Sequence, residues 1–161
     1  MKLSTQEEYG LRCLLQIGRK EHDTGDSITI SEISQAEGLS TANVGKLVRL
    51  LRLGCIVESV RGQAGGYKLA RPANEIFITD VLSALGERLF NDDFCDEHAG
   101  QEGFCSHSVN CSIRSMWNAI QFVVDQMLDR ITLKDLMGDG QRLQDKLGSR
   151  TGELLQVAPL S

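Results

Sequence analysis

The sequence predicts a mainly α-helical fold with one small β-hairpin, in which a winged helix-turn-helix is followed by a long dimerisation helix. Three observations predict it. Two helical patterns flank a glycine turn at Gly38, and a glycine-rich segment with a period of about two follows them at residues 56–72. An apolar stripe then recurs every three or four residues from Ile113 to Ile131. With 161 residues, of which 41% are hydrophobic, the chain is long enough to bury one core.

The first helix is expected to begin with Ser4 or Thr5 as its N-cap residue. Carboxylates including Glu8 fall in its first turn, where the helix dipole favours negative charge. Apolar residues recur at helical spacing as far as Gly18, where we expect the helix to end. A polar loop at residues 20–26 is expected to follow.

The next two helices form a helix-turn-helix pattern. A strand-like piece at residues 28–30 precedes a short helix, for which Ser31 is the expected N-cap. Gly38 marks a turn and Ser40 is suited to cap a second helix, whose apolar positions keep a helical period over residues 41–54. Two helices joined by a short turn that contains glycine are typical of a helix-turn-helix.

A hairpin follows the second helix of this pair. Residues 56–61 and 67–72 alternate with a period of about two, and Gly65 and Gly66 lie at the tip, where glycine allows a positive φ. A helix-turn-helix followed directly by a basic hairpin predicts a winged helix. Thr79 is then expected to be the N-cap of a further helix.

The whole chain is expected to divide into four segments. They are a winged helix-turn-helix DNA-binding domain at 1–90, a cysteine loop at 91–111, a dimerisation helix at 112–137 and a flexible C-terminal tail at 138–161. The stripe on the third segment consists of Ile113, Trp117, Ile120, Val124, Met127 and Ile131. Because a lone helix with this stripe would expose too much apolar surface in so small a domain, pairing with a second copy, as a homodimer, is expected.

The net charge of -5 conceals a strong asymmetry. Residues 41–71 carry six basic residues against one acidic residue, whereas residues 72–110 carry eight acidic residues against one basic residue. The basic cluster coincides with the winged helix, so double-stranded operator DNA is the expected partner. No apolar run approaches the roughly 20 residues of a bilayer span, and the N-terminus lacks the order of a signal peptide. No membrane partner and a cytoplasmic location are therefore expected.

The second helix of a helix-turn-helix enters the major groove with its N-terminal residues near the base edges. Asn43 suits adenine, Lys46 suits the acceptors of guanine and Arg49 suits a phosphate. Arg61 at the base of the wing suits a phosphate or the minor groove. The expected DNA-contacting residues are Thr41, Ala42, Asn43, Lys46, Arg49, Arg61, Gly65 and Gly66. The alternative interpretation of the cations is a solvated helix face.

Three of the five cysteines, Cys95, Cys105 and Cys111, fall close together in the sequence. Their pattern is C-x9-C-x5-C, which differs from the C-x2-C pair of structural zinc sites. Wide spacing on a glycine-bearing loop lets three thiolates converge on something larger than one ion, and such thiolates hold iron-sulfur clusters. An iron-sulfur cluster is therefore the first hypothesis for this loop.

Other interpretations of the cysteines stay open at this point. Zinc would need three thiolates and either His98 or His107, the thiols could sense oxidants without a metal, and unpaired loop cysteines are the simplest alternative. Cys13 and Cys55 lie among apolar neighbours and are expected to be small core residues. No hydrolytic constellation is present, so an enzyme is not expected. A cysteine-based redox or electron-transfer protein that does not bind DNA specifically is the alternative from another class.

Several segments together resemble the IscR-type regulators, whose relatives include NsrR and RirA. They are Met1-Lys2-Leu3-Ser4, Tyr9-Gly10-Leu11-Arg12, the wing at 59–67, the three-cysteine loop, Trp117 and residues 131–133. The resemblance covers about residues 1–137. It implies a homodimeric winged-helix transcription factor that holds an iron-sulfur cluster, 2Fe-2S or 4Fe-4S. The cluster would report on cluster supply, iron, nitric oxide or redox state.

The resemblance also suggests a fourth ligand. IscR has the pattern C-x5-C-x5-C with a histidine three residues after the last cysteine, whereas here the first gap is nine residues and Arg114 holds that position. NsrR-like members instead carry a carboxylate at the eighth residue, supplied by the partner subunit. Glu8 is therefore the candidate that joins the three loop cysteines, and His107 and then His98 are the alternatives. A purely electrostatic role for Glu8 at the helix N-terminus is the other interpretation.

Overall fold

The computed structural model describes residues 4–62, 65–86 and 111–156. The elements are α1 (Thr5–Thr24), α2 (Ile30–Glu37), α3 (Thr41–Leu53), β1 (Val57–Val60), β2 (Gly66–Leu69), a 3-10 turn (Ala73–Glu75), α4 (Ile78–Leu85), α5 (Ser112–Leu128), α6 (Leu133–Met137) and α7 (Gly140–Gln156). β1 and β2 form an antiparallel pair in which Val57 lies opposite Leu69 and Val60 opposite Gly66. A mainly α-helical chain with one hairpin confirms the predicted fold class.

Three of the described helices, α1, α2 and α6, begin with a capping box, in which a side chain and a backbone group exchange hydrogen bonds. At α1 the hydroxyl of Ser4 accepts from the backbone N of Glu7 at 3.2 Å, and the Glu7 carboxylate accepts from the Ser4 backbone N at 2.7 Å. At α2 the pair is Thr29 and Glu32. The predicted cap at Ser31 is therefore wrong, because Thr29 has a carboxylate three residues further on that completes the box.

The helix-turn-helix is confirmed between α2 and α3. Gly38 adopts the left-handed φ of +66° that ends α2, and the hydroxyl of Ser34 donates to the backbone oxygen of Leu39 at 2.5 Å. Ser40 then caps α3 by accepting from the backbone N of Asn43 at 3.3 Å. These bonds fix a tight turn between the two helices.

α1 extends further than its sequence pattern predicted. The expected end at Gly18 and the expected loop at 20–26 are wrong, because the helix runs to Thr24 and ends at Gly25, where φ is +72°. Gly18 is buried, and a Cβ built on it would lie 2.9 Å from the sulfur of Met137. The glycine therefore permits close packing of helices at this point and does not end the helix.

The core lies between α1, α3, α4, the hairpin and α6. Its fully buried large side chains are Leu14, Ile17, Ile33, Leu47, Leu51, Ile56, Ile76, Leu85, Leu133, Val44, Val48 and Val57. Cys13 belongs to this core, as predicted, and its burial raises the pKa of the thiol to about 11. Cys55 does not. It is exposed with a φ of +56° in the turn between α3 and β1, and the next residue, Ile56, is buried in its place.

Residues 112–137 are not one helix. α5 ends at Leu128, and Ile131 is buried in the core of the winged helix. The backbone N of Ile78 donates to the Ile131 oxygen at 2.9 Å, and the Leu133 N donates to the Ile76 oxygen at 2.8 Å. The last residue of the predicted stripe therefore packs in the core of its own chain.

The start of α4 also differs from the prediction. Its N-cap residue is Phe77, and Thr79 lies inside the helix with its hydroxyl donating to the Asp129 carboxylate at 2.7 Å. The Ile131 carbonyl that accepts from Ile78 satisfies a backbone N at the start of the helix without a capping side chain.

The C-terminal region contains a helix where a flexible tail was expected. α7 packs Leu143 and Leu147 against the core. Lys146 of α7 lies 2.5 Å from the Asp135 carboxylate of α6. None of the described helices is long and apolar enough to cross a lipid bilayer.

Candidate DNA interface and metal ligands

α3 presents one buried face and one exposed face. The buried face consists of Val44, Leu47, Val48 and Leu51. Ala42, Lys46 and Arg49 are exposed, and their spacing of four and three residues places them on a common side of the helix. Thr41 is exposed at the N-terminus, and Asn43 is half-buried. The structure thus brings the five predicted contacts on α3 to the accessible side and the N-terminal end of one helix.

The glycines of the wing serve close packing. Arg61 is exposed immediately after β1, and the left-handed residue beside it is Gly62, with a φ of +111°. The positive φ that glycine allows at the tip is thus recorded at Gly62. A Cβ on Gly66 would lie 2.6 Å from the backbone oxygen of Ile28, and one on Gly65 would lie 2.8 Å from that of Gly62. Both glycines are half-buried at points where backbone segments approach each other.

The basic cluster divides into engaged and exposed side chains. Lys68 donates to the backbone oxygen of Gly25 at 2.5 Å, and Arg71 pairs with Asp80 at 2.6 Å. Within the described parts of the chain, no ion pair involves Arg61 or the two cations of the exposed α3 face. Their positive charge remains available to a phosphate backbone.

α1 holds the helix-turn-helix through Glu37, the last residue of α2. The Arg12 Nε lies 2.7 Å from the Glu37 carboxylate, and an Arg12 terminal nitrogen also donates to the Glu37 backbone oxygen at 3.1 Å. The Gln16 amide donates to the same carboxylate at 2.6 Å. The side-chain hydrogen bond between Arg12 and Glu37 raises the pKa of Arg12. Sequence reasoning missed the contact, because its partners are 25 residues apart and no local pattern joins them.

Glu8 is exposed in the first turn of α1. The capping box uses Glu7, so the Glu8 carboxylate is not part of the cap. The Gln6 amide donates to the backbone oxygen of Leu85, and a Cβ built on Gly86 would lie 3.0 Å from the Glu7 carboxylate. The first turn of α1 therefore lies beside the point where the chain enters the segment that carries Cys95 and Cys105.

Cys111 is the N-cap residue of α5 and is partly exposed. Its sulfur accepts a hydrogen bond from the backbone N of Arg114 at 3.4 Å. The other candidate ligands, Cys95, Cys105, His98 and His107, lie outside the described residues. Within the described residues, no three His, Cys, Asp or Glu side chains converge on a common point.

One face of α5 is apolar and uncovered in the single chain. Its exposed members are Ile113, Met116, Trp117, Ile120 and Val123, and we call this set the α5 face. Along α5, which is described in full, Gln121 is the only buried residue. Its amide donates to Asp125 at 2.7 Å. The apolar side chains of the α5 face are therefore exposed in the single chain.

Comparisons with known proteins agree with this architecture. Residues 3–139 match the family model Rrf2, described as an iron-dependent transcriptional regulator. Over 139 residues the chain is 35% identical to protein rrf2 of Nitratidesulfovibrio vulgaris, a match that covers 86% of this chain and 89% of that protein. It is 29% identical to the transcriptional regulator IscR of Vibrio campbellii, covering 89% and 82% of the two chains.

Solved structures give the same result. IscR of T. potens superposes with a TM-score of 0.68 at 26% identity, covering 89% of this chain and 91% of that one. CymR, the global cysteine regulator of B. subtilis, gives a TM-score of 0.64 at 28% identity, with 85% and 96% covered. Transcriptional regulation is a non-enzymatic role, in agreement with the expectation that the protein is not an enzyme. The chain therefore belongs to the Rrf2 family of transcriptional regulators.

Proposed function

We propose that this regulator binds operator DNA as a homodimer, and that an iron-sulfur cluster controls the binding. One observation carries the proposal. The first turn of α1, with Glu8 exposed, lies beside the entry to the cysteine segment, and the same helix holds the helix-turn-helix through Arg12 and Glu37. A ligand set at one end of α1 is thereby connected to the DNA-reading helix.

The DNA-binding surface consists of the exposed side of α3 and the wing. Thr41, Ala42 and Asn43 open α3 and approach the base edges, where Asn43 suits adenine. Lys46 suits guanine acceptors, and the exposed Arg49 and Arg61 suit phosphates. Gly65 and Gly66 keep the wing backbone close to its neighbours. Binding through these cations is expected to weaken steeply as salt rises.

The donor set fits an iron-sulfur cluster. Cys95, Cys105 and Cys111 supply three thiolates and Glu8 supplies a carboxylate, and thiolates are the usual ligands of such clusters. Cys111 is partly exposed at the N-terminus of α5, so its sulfur is accessible to a bound cluster. When bound, a 2Fe-2S or 4Fe-4S cluster supplies a crosslink that is sensitive to redox state and to small ligands. His107 and His98 are the alternative fourth ligands.

Ligand binding by Glu8 and Cys111 would change how the first turn of α1 is held. Glu8 and Cys111, when both are engaged, hold the first turn of α1 near the start of α5 of its own chain or of the partner. Their release would remove this restraint from the first turn of α1, and the contact of α1 with Glu37 would carry the change to the helix-turn-helix. In a dimer, this alters the separation of two recognition helices, and half-site spacing is a strict geometric requirement.

The test is anaerobic purification followed by an absorption spectrum, an assay of iron and sulfide, and DNA binding before and after cluster reconstitution. We expect coloured wild-type protein whose DNA affinity changes on reconstitution. Cys105→Ala should be colourless and unresponsive, and the matched control Cys55→Ala, which alters an exposed cysteine far from the loop in sequence, should behave as wild type. Colourless, iron-free wild-type protein that binds its promoter unaltered would contradict the proposal.

A second candidate is regulation by cysteine thiols or zinc without a cluster. The likeness to CymR favours it, since this chain also matches the oxidised form of CymR from Staphylococcus aureus with a TM-score of 0.63 and 30% identity. Iron-free protein whose DNA affinity falls with oxidant and returns with reductant would support the thiol mechanism. Stoichiometric zinc in that protein would support a metal-held loop.

A further inference from the structure

The edge of β2 that faces away from β1 forms hydrogen bonds with α1 and with the loop that follows α1. In the hairpin β2 pairs with β1 along one edge. Its other edge has no strand of the hairpin beside it. On that edge the backbone N of Tyr67 donates to the Ile28 oxygen at 2.8 Å, and Ile28 returns a bond to the Tyr67 oxygen at 3.1 Å. Two residues further on, the backbone N of Leu69 donates to the Glu21 carboxylate at 2.7 Å. A side chain of α1 thus continues the hydrogen bonding of the strand.

These contacts orient the hairpin. Glu21 is half-buried in the last turn of α1, and Lys68 reaches the carbonyl of Gly25, the residue that ends this helix. The absence of a Cβ at Gly66 lets β2 come against Ile28. Because an isolated two-stranded hairpin is marginally stable in water, the direction of the wing depends on such outside contacts.

We propose that Glu21 is a positioning residue for DNA binding, whose carboxylate fixes β2 and so sets where Arg61 meets the DNA relative to α3. Arg61 is the first residue beyond the paired part of the hairpin, so it moves with the strands. The Leu69 backbone N is a neutral donor, so the feature that Glu21 must supply is an acceptor at the right reach. The inference rests on the proposed DNA binding and names a residue outside the contact surface.

Three substitutions of Glu21 test separately the hydrogen-bond acceptor and the negative charge of its side chain. Glu21→Gln keeps an acceptor oxygen at the same reach, Glu21→Met removes the acceptor, and Glu21→Asp keeps the charge on a shorter side chain. The probe is a fluorescent DNA duplex that the wild-type full-length protein has enriched from a random-sequence pool. We expect Glu21→Gln to bind as wild type. The Met and Asp variants should bind more weakly, and the slope of log affinity against log salt should be shallower by about 0.9 for each phosphate that the protein no longer neutralises.

The Arg61→Ala background shows whether the effect passes through the wing. In that background Glu21→Met should cause no further loss of affinity, because the arginine that it misplaces is already absent. Hydrogen exchange at the Leu69 amide should be faster in the Met and Asp variants than in the Gln variant, and thermal unfolding checks that all of them fold.

Three results would overturn the inference. They are wild-type affinity in Glu21→Met, an equal loss of affinity in both backgrounds, and loss of binding in Glu21→Gln as severe as in Glu21→Met. A wild-type protein that enriches no duplex at all would overturn the proposed function itself, and this inference with it. Failure of the DNA proposal is therefore distinguishable from failure of the role of Glu21.

Discussion

Single glycines decide how closely α1 packs on its neighbours. A Cβ built on the buried Gly10 would lie 2.4 to 2.9 Å from the side chain of Leu85, which is only 1% exposed. Alanine is favoured over glycine inside a helix by about 1 kcal/mol. Glycine at this position therefore reflects the space between α1 and α4, since the backbone conformation alone would accept alanine.

Gly10→Ala is expected to lower the free energy of unfolding by about 1–3 kcal/mol, the usual cost of overpacking a core. Leu85 is buried and cannot swing into solvent to relieve the overlap. The control is Gly148→Ala in α7, where nothing lies within 4 Å of the added Cβ and a gain of up to about 1 kcal/mol is expected. Urea unfolding of both variants measures the difference, and equal effects would show that packing against Leu85 is not the cause.

The sequence predicted those features of the site that depend on residues close together in the chain. The helical period of α3 separates Lys46 and Arg49 from its buried face, so their exposure followed from spacing alone. The contacts of Arg12 with Glu37 and of Glu21 with Leu69 join residues 25 and 48 positions apart. No local pattern marks them, and only the packing of α1 on the other elements creates them.

At the scale of the elements, caps and periodicity located the helix-turn-helix and the hairpin, whereas tertiary contacts set the boundaries that were missed. The end of α1 was misplaced because Gly18 packs against Met137 in place of ending the helix. Ile131 continues the apolar spacing of α5, yet its backbone pairs with residue 78 and its side chain enters the core. A heptad-like spacing shows where apolar residues recur along a helix. It does not show which surface buries each of them.

Asp135 connects the two C-terminal helices. Its carboxylate accepts from Thr132 at the start of α6 and lies beside Lys146 of α7. Burial alone would raise the pKa of Asp135, but the hydrogen bonds from Lys146 and Thr132 outweigh it, so the pKa lies below the ordinary value of 3.8. A carboxyl group whose pKa is lowered by folding stabilises the folded state above its unfolded pKa. That stabilisation is lost as the pH falls through the folded value.

Asp135→Asn is therefore expected to unfold at lower urea concentration than wild type at neutral pH. The difference should persist down to about pH 4 and shrink as the pH falls further, because the wild-type carboxylate is then protonated. Urea midpoints measured from pH 7 to about pH 2.5 test this. Asp145→Asn, on the exposed side of α7, is the control for which we expect a smaller difference at neutral pH. A constant gap between Asp135→Asn and wild type at every pH would contradict the role of the ion pair.

At the scale of the whole molecule, the proposed homodimer gives the exposed α5 face a surface to pack against. A helix of seventeen residues whose only buried residue is Gln121 contributes little to the fold of its own chain. Its exposed apolar side chains lie next to each other along the helix, and contiguous exposed apolar surface usually marks an interface. A second copy of the same helix supplies a complementary apolar surface, because a two-fold axis brings identical patches together. The same axis would place two α3 helices for the two half-sites of an operator.

Ile120→Glu is expected to convert the dimer to monomer, because it places a charge at the centre of the α5 face, where Ile120 is 40% exposed in the single chain. Asn118→Glu adds the same charge on nearly the opposite side of α5, since two residues turn a helix by about 200°, and should remain dimeric. Light scattering after gel filtration gives the mass of each variant.

The monomer should lose most of its affinity for a two-half-site duplex, because the second half-site no longer adds to binding. Circular dichroism should show that both variants keep their helices. A dimeric Ile120→Glu, or a monomer that binds the full site as wild type does, would separate DNA recognition from the α5 face.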